Sequence, residues 1–234
     1  MKVLLFGKTV KNIEGLVKDL GLQIVRENPD IIISYGGDGT LISAERKYPG
    51  IPKLPLRDSL ICKKCSKHED EIVLKKLLAN RLKPTEYSKL ETTFFYQTFY
   101  ALNDFVIRNS NPTHTIRFKT SSTKDRLLIG DGIVISTAFG STGYFKSITG
   151  KSFQQGFAVA FNNTTQKISP VFLKDQEKLN FKLTRGKATL SFDNSPDIFN
   201  LDEGSEVNFK LSSKVAKIYA DTSLRCPNCQ VIRD

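Results

Sequence analysis

The stretch IIISYGGDGT, Ile31 to Thr40, sets Gly36, Gly37, Asp38 and Gly39 directly behind an apolar run. Glycine loses more backbone freedom on folding than any other residue, so such a cluster is costly to order. It marks a sharp turn or a place where something approaches the backbone closely. With a strand before it and a helix after it, Gly36, Gly37 and Gly39 let backbone N–H groups approach phosphate oxygens. Asp38 is then placed to take a proton from an attacking hydroxyl or to hold Mg²⁺. The plain alternative is a structural turn carrying a solvated Asp38.

Two other stretches carry the same kind of chemistry. In GDGIVISTAFGSTGY, Asp131 heads an apolar strand that runs into Gly140, Ser141, Thr142, Gly143 and Tyr144. A turn rich in hydroxyls and glycine suits sugars or phosphates, and Tyr144 offers a ring to a base; a hairpin loop is the alternative. In LNDFVIR, Asn103 and Asp104 interrupt an apolar run. An amide beside a carboxylate suits ribose hydroxyls, or it closes an Asx turn at a strand end. GKT at Gly7 looks like the tail of a P-loop but lacks the first glycine, and reads as a strand-to-helix turn.

All the cysteines fall in CxxC pairs, Cys62 with Cys65 and Cys226 with Cys229. Two such pairs supply the tetrahedral Cys₄ set of a structural zinc, with no position open to substrate. A redox-active pair would head a thioredoxin-like helix, which neither does, and disulfides conflict with a cytoplasmic setting. His68 is an alternative ligand or a surface residue at a helix start. His114 is expected to be exposed, and neither histidine is given a role.

The elements that position these residues can be read from periodicity. Val3 to Phe6 is a short buried strand. Val10, Ile13, Leu16, Val17 and Leu20 then recur at helical spacing up to Gly21. Ile24 and Val25 form a weak strand, Asn28-Pro29 turns the chain, and Ile31 to Ser34 is apolar on both faces, as in a parallel sheet. A helix through Leu41, Ile42 and Ala44 ends before Pro49. The segment from Pro49 to about Glu69 reads as irregular, and a helix is expected over 69–82. From Phe94 the period changes to short β-branched or alternating runs: TFYALNDFVI, HTIRFKT, RLLIGDGIVIST, FAVAF, LNFKLT, ATLSF, EVNFKL and VAKIYA. These predict an antiparallel layered sandwich. The expected organisation is an N-terminal α/β nucleotide domain with a parallel sheet over 1–93 and a β-rich domain over 94–220. The tail 221–234 then returns to the first domain, as the pairing of the two CxxC sets requires.

Bulk composition narrows the function classes. The chain has 234 residues, 39% hydrophobic and 25% charged, enough for a real core. No apolar run approaches the roughly 20 residues that span a bilayer, and the first residues lack a secretory pattern. A cytoplasmic protein without membrane contact is expected. Lys and Arg number 35 against 24 Asp and Glu, a net charge of +11 that favours anionic partners. The basic residues are spread along the chain, so nothing local supports nucleic acid.

Taken in order, GGDGT, an Asn–acid pair in a strand, and DG followed by ISTxxGSTxY resemble the NAD kinase family. The late stretch ATLSFDNSPDIFNLDEGSEVNFKLSS is similar to that family's V-x-x-D-G-Q-like turn and the strand after it, so the resemblance covers most of the chain. GGDGT is shared with diacylglycerol-type lipid kinases. GSTxY after DG is far more specific to NAD kinases, and the lipid-kinase-like G-T-x-N element is missing. The resemblance implies transfer of the γ-phosphoryl group of ATP, carried with Mg²⁺, to the 2′-hydroxyl of the adenosine ribose of NAD. It implies Asp38 as base and metal-side acid, and Gly36, Gly37, Gly39 and Thr40 as the phosphate loop. Asn103 and Asp104 would hold ribose hydroxyls, Asp131 would contact the dinucleotide, and Thr142, Gly143, Tyr144 and Ser147 would surround the adenosine half. It further implies a homo-oligomer, with ATP or polyphosphate as donor.

The chain also departs from the family. PGIPKLPLRDSLICKKC stands where the family has a segment ending in GFL. Asp104 replaces the usual Glu, Gly143 the usual Ala, and FNNTTQKISP occupies the region of a P-H-S element. These departures leave open a member that phosphorylates another small molecule or lipid, or one that binds nucleotide or RNA without turnover.

Overall fold

The structure, a computed structural model, describes residues 1–58 and 69–219. The chain divides into two compact units, Met1–Tyr87 together with the chain from Ala216, and Ser88–Val215.

The first unit is an α/β layer built on β1 (Lys2–Phe6), α1 (Lys11–Asp19), β2 (Gln23–Ile24), β3 (Ile31–Tyr35), α2 (Asp38–Lys47), β4 (Lys53–Leu56) and α3 (Asp70–Leu78). The strands run parallel in the order β2-β1-β3-β4, and Ile218 pairs beyond them with Lys53. The triple isoleucine at 31–33 follows from this placement. Ile31 and Ile33 face a core with Ile13 and Val17 of α1 and Val73, Leu74 and Leu77 of α3, while Ile32 faces Ala44 of α2. A strand covered on both sides has no polar face to alternate with.

Two expectations need correction here. The segment after Pro49 contains β4, which three prolines disguise. Ile32 N–H donates to the Pro52 carbonyl and Gly36 N–H to that of Leu56, so the even-numbered positions face β3. Pro55 faces the other way, where its missing donor costs that ladder nothing. The helix expected over 69–82 stops at Leu78. Asn80 is left-handed at φ 53°, Asn80 N–H donates to Leu77 O and Arg81 N–H to Lys76 O, a Schellman termination. Leu82 is nevertheless buried in the same core, which explains its helical-looking spacing.

The second unit is a sandwich. Its strands include β5 (Pro84–Phe94), β6 (Gln97–Ala101), β7 (Asp104–Asn109), β8 (Ile116–Thr120), β9 (Leu128–Gly130) and β10 (Gly132–Thr137). After helix α4 (Tyr144–Thr149) come β11 (Phe157–Asn162), β12 (Val171–Leu173), β13 (Lys178–Arg185), β14 (Ala188–Phe192), β15 (Phe199–Leu201) and β16 (Glu206–Tyr219). One sheet is antiparallel in the order β12-β11-β10-β7-β14-β15; the other runs β6-β5-β16-β13-β8-β9. Their inner faces meet through Phe105, Ile133, Ile135, Phe157, Phe181 and Phe209. The run TFYALNDFVI is two strands rather than one, because the chain bends at Leu102–Asn103 between β6 and β7. The β pattern also begins earlier than Phe94, at Pro84. His114 is exposed, as expected, but in a turn rather than a strand.

α2 is fixed to β4 by a buried ion pair. Lys53 Nζ meets Glu45, with their side chains 0% and 2% exposed, and also donates to the Tyr48 carbonyl. Removing one partner of such a pair strands the other charge and costs about 3–5 kcal/mol. Lys53→Met is therefore expected to lower the urea midpoint sharply. Lys53→Met with Glu45→Met should recover most of the loss in a double-mutant cycle.

Candidate active site

The first unit builds a loop at the carboxyl edge of its parallel sheet. β2 lies on one side of β1 and β3 on the other. The loops after β1 and β3 thus flank the point where strand order reverses, the usual ligand crevice of open α/β sheets. The two loops touch: a Cβ on Gly7 would lie 2.2 Å from the Tyr35 carbonyl oxygen. Gly36 is held at φ +153°, and a Cβ there would sit 2.3 Å from Thr40 Oγ1. Only glycine fits that position. Gly37 caps α2 without a side-chain acceptor, so the first N–H groups of the helix point outward with the positive end of its dipole. Asp38, the first helical residue, has a buried Oδ1 with no hydrogen-bond partner. Thr9 donates to Asp58 beside this loop. The Tyr35 phenol is pushed up to about 12 by burial and by the nearby Asp70 and Asp58 carboxylates.

The second unit organises Asn103 and Asp104. The backbone N–H groups of Leu102, Asn103 and Asp104 donate to the Asp193 carboxylate at 2.5, 2.7 and 3.3 Å. On the other side, Thr137 N–H donates to the Asn103 carbonyl at 2.9 Å and Thr137 Oγ1 to that of Leu102 at 2.6 Å. Gly140 N–H in turn donates to Thr137 Oγ1 at 3.0 Å. The approach is so close that a Cβ on Gly140 would lie 2.2 Å from the Asn103 carbonyl oxygen. With its backbone fixed, Asn103 keeps a buried Oδ1 that has no partner. Asp104 begins β7 opposite Ser136, and burial together with the Asp193 charge pushes its carboxyl up to about 7. Asp193 is itself raised by burial, against the pull of the three N–H groups and of Lys89.

The turn GSTG continues from this clamp. Ser141 Oγ donates to the Ala138 and Phe153 carbonyls, and Gly143 N–H to Gly140 O at 2.8 Å. Gly143 then caps α4, which carries Tyr144 and Ser147; the Ser147 hydroxyl donates back to Tyr144 O. Tyr144, with Phe145, Ile148 and Phe153, covers Val134, Ala158 and Ala160 on the outer face of the sheet. Asn103, Asp104, Thr142, Gly143, Tyr144 and Ser147 thus cluster at one end of β10. Asp131 does not join them. It stands at the other end of that strand, roughly 20 Å away. Its carboxylate accepts from Asn163 Nδ2 at 3.0 Å, with Asn109 Nδ2 at 3.5 Å. Asp193 and Thr137 do not stand out in the sequence as site residues, and Gly140 does so only as part of the GSTGY turn. The signal for Asp193 was its place in the late turn FDNS.

Comparison with known proteins places the chain. No protein-family model matches it. An NAD kinase from Sulfurimonas denitrificans is 31% identical over 205 residues, covering 81% of this chain and 71% of that protein. The chain belongs to the NAD kinase family. An NAD kinase from Aquifex aeolicus is 28% identical over 94% of this chain and 93% of its own length. The fold is that of an Archaeoglobus fulgidus NAD kinase in complex with ATP, at a TM-score of 0.75 and 19% identity over 94% of this chain and 93% of that one. Yeast NADH kinase complexed with NADH also scores 0.75, at 15% identity over 95% and 84%. This NAD kinase relative is accordingly an enzyme with an α/β unit and a β-sandwich unit. No helix among its described residues is long and apolar enough to cross a membrane.

The raised Asp104 carboxyl has a consequence for stability. Its folded pKa of about 7 lies above the ordinary 3.8, so between these values the folded chain holds a proton that the unfolded chain has released. Stability must fall as pH rises through that window, and the deficit is complete above it. Asp104→Asn is expected to stabilise the protein by roughly 1–3 kcal/mol at pH 8. The difference should vanish near pH 4. Thermal unfolding across that range checks it; a wild type and variant that stay parallel would contradict the assignment.

Proposed function

We propose that the chain transfers the γ-phosphoryl group of ATP to the 2′-hydroxyl of the adenosine ribose of NAD. The observation that carries this reading is the Asp38 carboxylate, which keeps a buried oxygen unpartnered at the N-terminus of α2, where the helix dipole favours an anion. Phosphoryl transfer needs positioning and charge neutralisation more than covalent help from the protein. Gly36, Gly37, Gly39 and Thr40 shape the loop; Gly36 N–H is held by the Leu56 carbonyl and Thr40 N–H by that of Gly37, so the Gly37 and Gly39 N–H groups are the ones that bind phosphate oxygens. Asn103 and Asp104 hold ribose hydroxyls, and Thr142, Gly143, Tyr144 and Ser147 surround the adenosine half. Asp131 contacts the dinucleotide at a separate place. The ribose oxygen bonds to the γ-phosphorus as the bond to the β-phosphate oxygen breaks, and Asp38 takes the hydroxyl proton. Asp38 is also the residue suited to hold Mg²⁺ arriving with ATP, which neutralises charge on the transferred group. In this reading the protein works in the cytoplasm as a homo-oligomer.

Purified protein with NAD, ATP and Mg²⁺ should form NADP, read by an NADP-specific dehydrogenase. Asp38→Asn is expected to lower kcat by about 10²–10⁴ while NAD binding stays within about twofold. Retained activity in Asp38→Asn would remove Asp38 from the chemistry. Binding of NAD without turnover by the wild type would favour a member that binds nucleotide and no longer transfers phosphate.

A structural zinc belongs to the same proposal. Among the described residues no group of three or more His, Cys, Asp or Glu is set to hold a metal. Cys62, Cys65, Cys226 and Cys229 lie outside the described residues, as does His68. The donor set fits Zn²⁺: four thiolates fill a tetrahedron and leave no open position. Metal analysis should find about one zinc per chain, lost in Cys62→Ser with Cys226→Ser, and chelation should lower Tm. Metal-free protein with unchanged Tm would contradict the site.

A further inference from the structure

Asp193 is an unusual residue to bury. It follows β14 in a tight turn where both Asp193 and Asn194 are left-handed, at φ 45° and 51°. Turns of that kind are normally solvated, and their aspartates normally point to water. Here Asp193 is 5% exposed. Its own N–H reaches the Asp104 carbonyl at 3.4 Å, continuing the β7–β14 ladder past the Phe105–Phe192 pair. Its carboxylate crosses to the adjacent chain and collects the N–H groups of Leu102, Asn103 and Asp104.

A purely structural bend could be closed more cheaply. A serine or asparagine would satisfy one or two donors without a buried charge. Asp193 instead stands close enough to Asp104 for their charges to oppose each other. Burial of the two carboxylates, with the Asp193 charge beside Asp104, disfavours their ionised forms and weakens the fold, and such costs persist where a site requires them. The residues held are also specific. With N–H groups fixed by Asp193 and carbonyls fixed by Thr137, the unsatisfied polar atom left in the bend is Asn103 Oδ1.

We propose that Asp193 is a positioning residue for the NAD kinase reaction: by gathering the Leu102–Asp104 N–H groups it presents the Asn103 and Asp104 side chains to the ribose of the nucleotide acceptor. It touches no substrate itself. The inference rests on the functional reading above, in which Asn103 and Asp104 hold NAD. It predicts an effect confined to the acceptor. Losing the clamp frees the bend, so the amide and carboxylate must be ordered again each time NAD binds.

The test measures KM for NAD and for ATP, and NAD affinity by calorimetry, in wild type, Asp193→Ala and Asp193→Asn. Asp193→Ala should raise KM and Kd for NAD at least about tenfold and leave KM for ATP within about twofold. Asp193→Asn should fall between, because its amide oxygen can still accept from Asn103 and Asp104 while its NH₂ opposes Leu102. A structural role alone would lower Tm and the active fraction but leave both KM values unchanged in the folded protein. Should Asp193→Ala not fold, Asp193→Asn decides, with an NAD KM raised at least about threefold as the expected result. NAD affinity within about twofold of wild type, or NAD and ATP constants that shift together, would overturn the inference. A wild type that binds no NAD overturns the functional reading and this inference with it. A wild type that binds NAD, beside a variant that binds it equally well, overturns this inference alone.

Discussion

One buried carboxylate collecting three backbone N–H groups governs the second unit's site. The Asp193 side chain can sit in the protein only because Leu102, Asn103 and Asp104 turn their donors toward it. Those donors can turn only because the chain breaks between β6 and β7 rather than running on as one strand. The same break needs somewhere for the carbonyls to go, and the Thr137 backbone and hydroxyl supply it. Thr137 can come that close because Gly140 has no side chain to strike Asn103. Sandwich register, turn chemistry and the missing Cβ therefore solve one accounting problem, in which every buried backbone group must find a partner. At the two candidate loops, Asn103 Oδ1 and Asp38 Oδ1 are left out of that accounting.

The first unit meets a different requirement by different means. In the proposed reading this loop receives phosphate, which calls for free N–H groups, so the chain withholds partners of the kind that the second unit supplies. The start of α2 does this for Gly39, whose N–H has no intrahelical acceptor, while Thr40 N–H already turns back to the Gly37 carbonyl. Gly36 brings the loop close to Thr40, and Gly37 caps α2 without offering a side-chain acceptor that would compete with a ligand. A serine or aspartate at the cap would stabilise the helix but would fill one of those donors. The rigid base of the loop comes from elsewhere, from isoleucines buried on both faces of β3 and from the Glu45–Lys53 pair anchoring α2 to β4.

Much of this was legible in the sequence, for identifiable reasons. The βαβ start was readable because its apolar spacings switch cleanly from strand to helix and because GGDGT stands between two such runs. The sandwich was readable from short runs and regular turns, and the family from GGDGT, ND and GSTGY in order. What stayed hidden depended on partners distant in sequence. β4 shows no alternation, since both its faces are covered, and Pro55 looks like a breaker until its missing donor is seen to face away from β3. α3 looked longer because Leu82 keeps the apolar spacing after Asn80 has ended the helix. Asp193 was invisible as a site residue because an aspartate in a polar turn is ordinarily solvated. Only the pairing of β14 with β7 brings it beside a bend about ninety residues earlier.

The electrostatics of the acidic residues sort them by role. An overall charge of +11 favours anionic ligands without placing any of them. Asp131 is fully engaged by Asn163 and Asn109, an arrangement that orients a carboxylate. Asp193 accepts from three backbone N–H groups with the Lys89 charge acting on it, which suits holding a chain segment in place. Asp104 is half-buried, raised toward neutrality, and has the opposing charge of Asp193 nearby. A carboxyl in that state gains from any neutral donor that approaches it, because the donor stabilises the ionised form that burial disfavours. A sugar hydroxyl is such a donor. In the proposed reading the ribose of NAD brings that hydroxyl, and binding then offsets part of the cost that burial imposes on the Asp104 carboxylate.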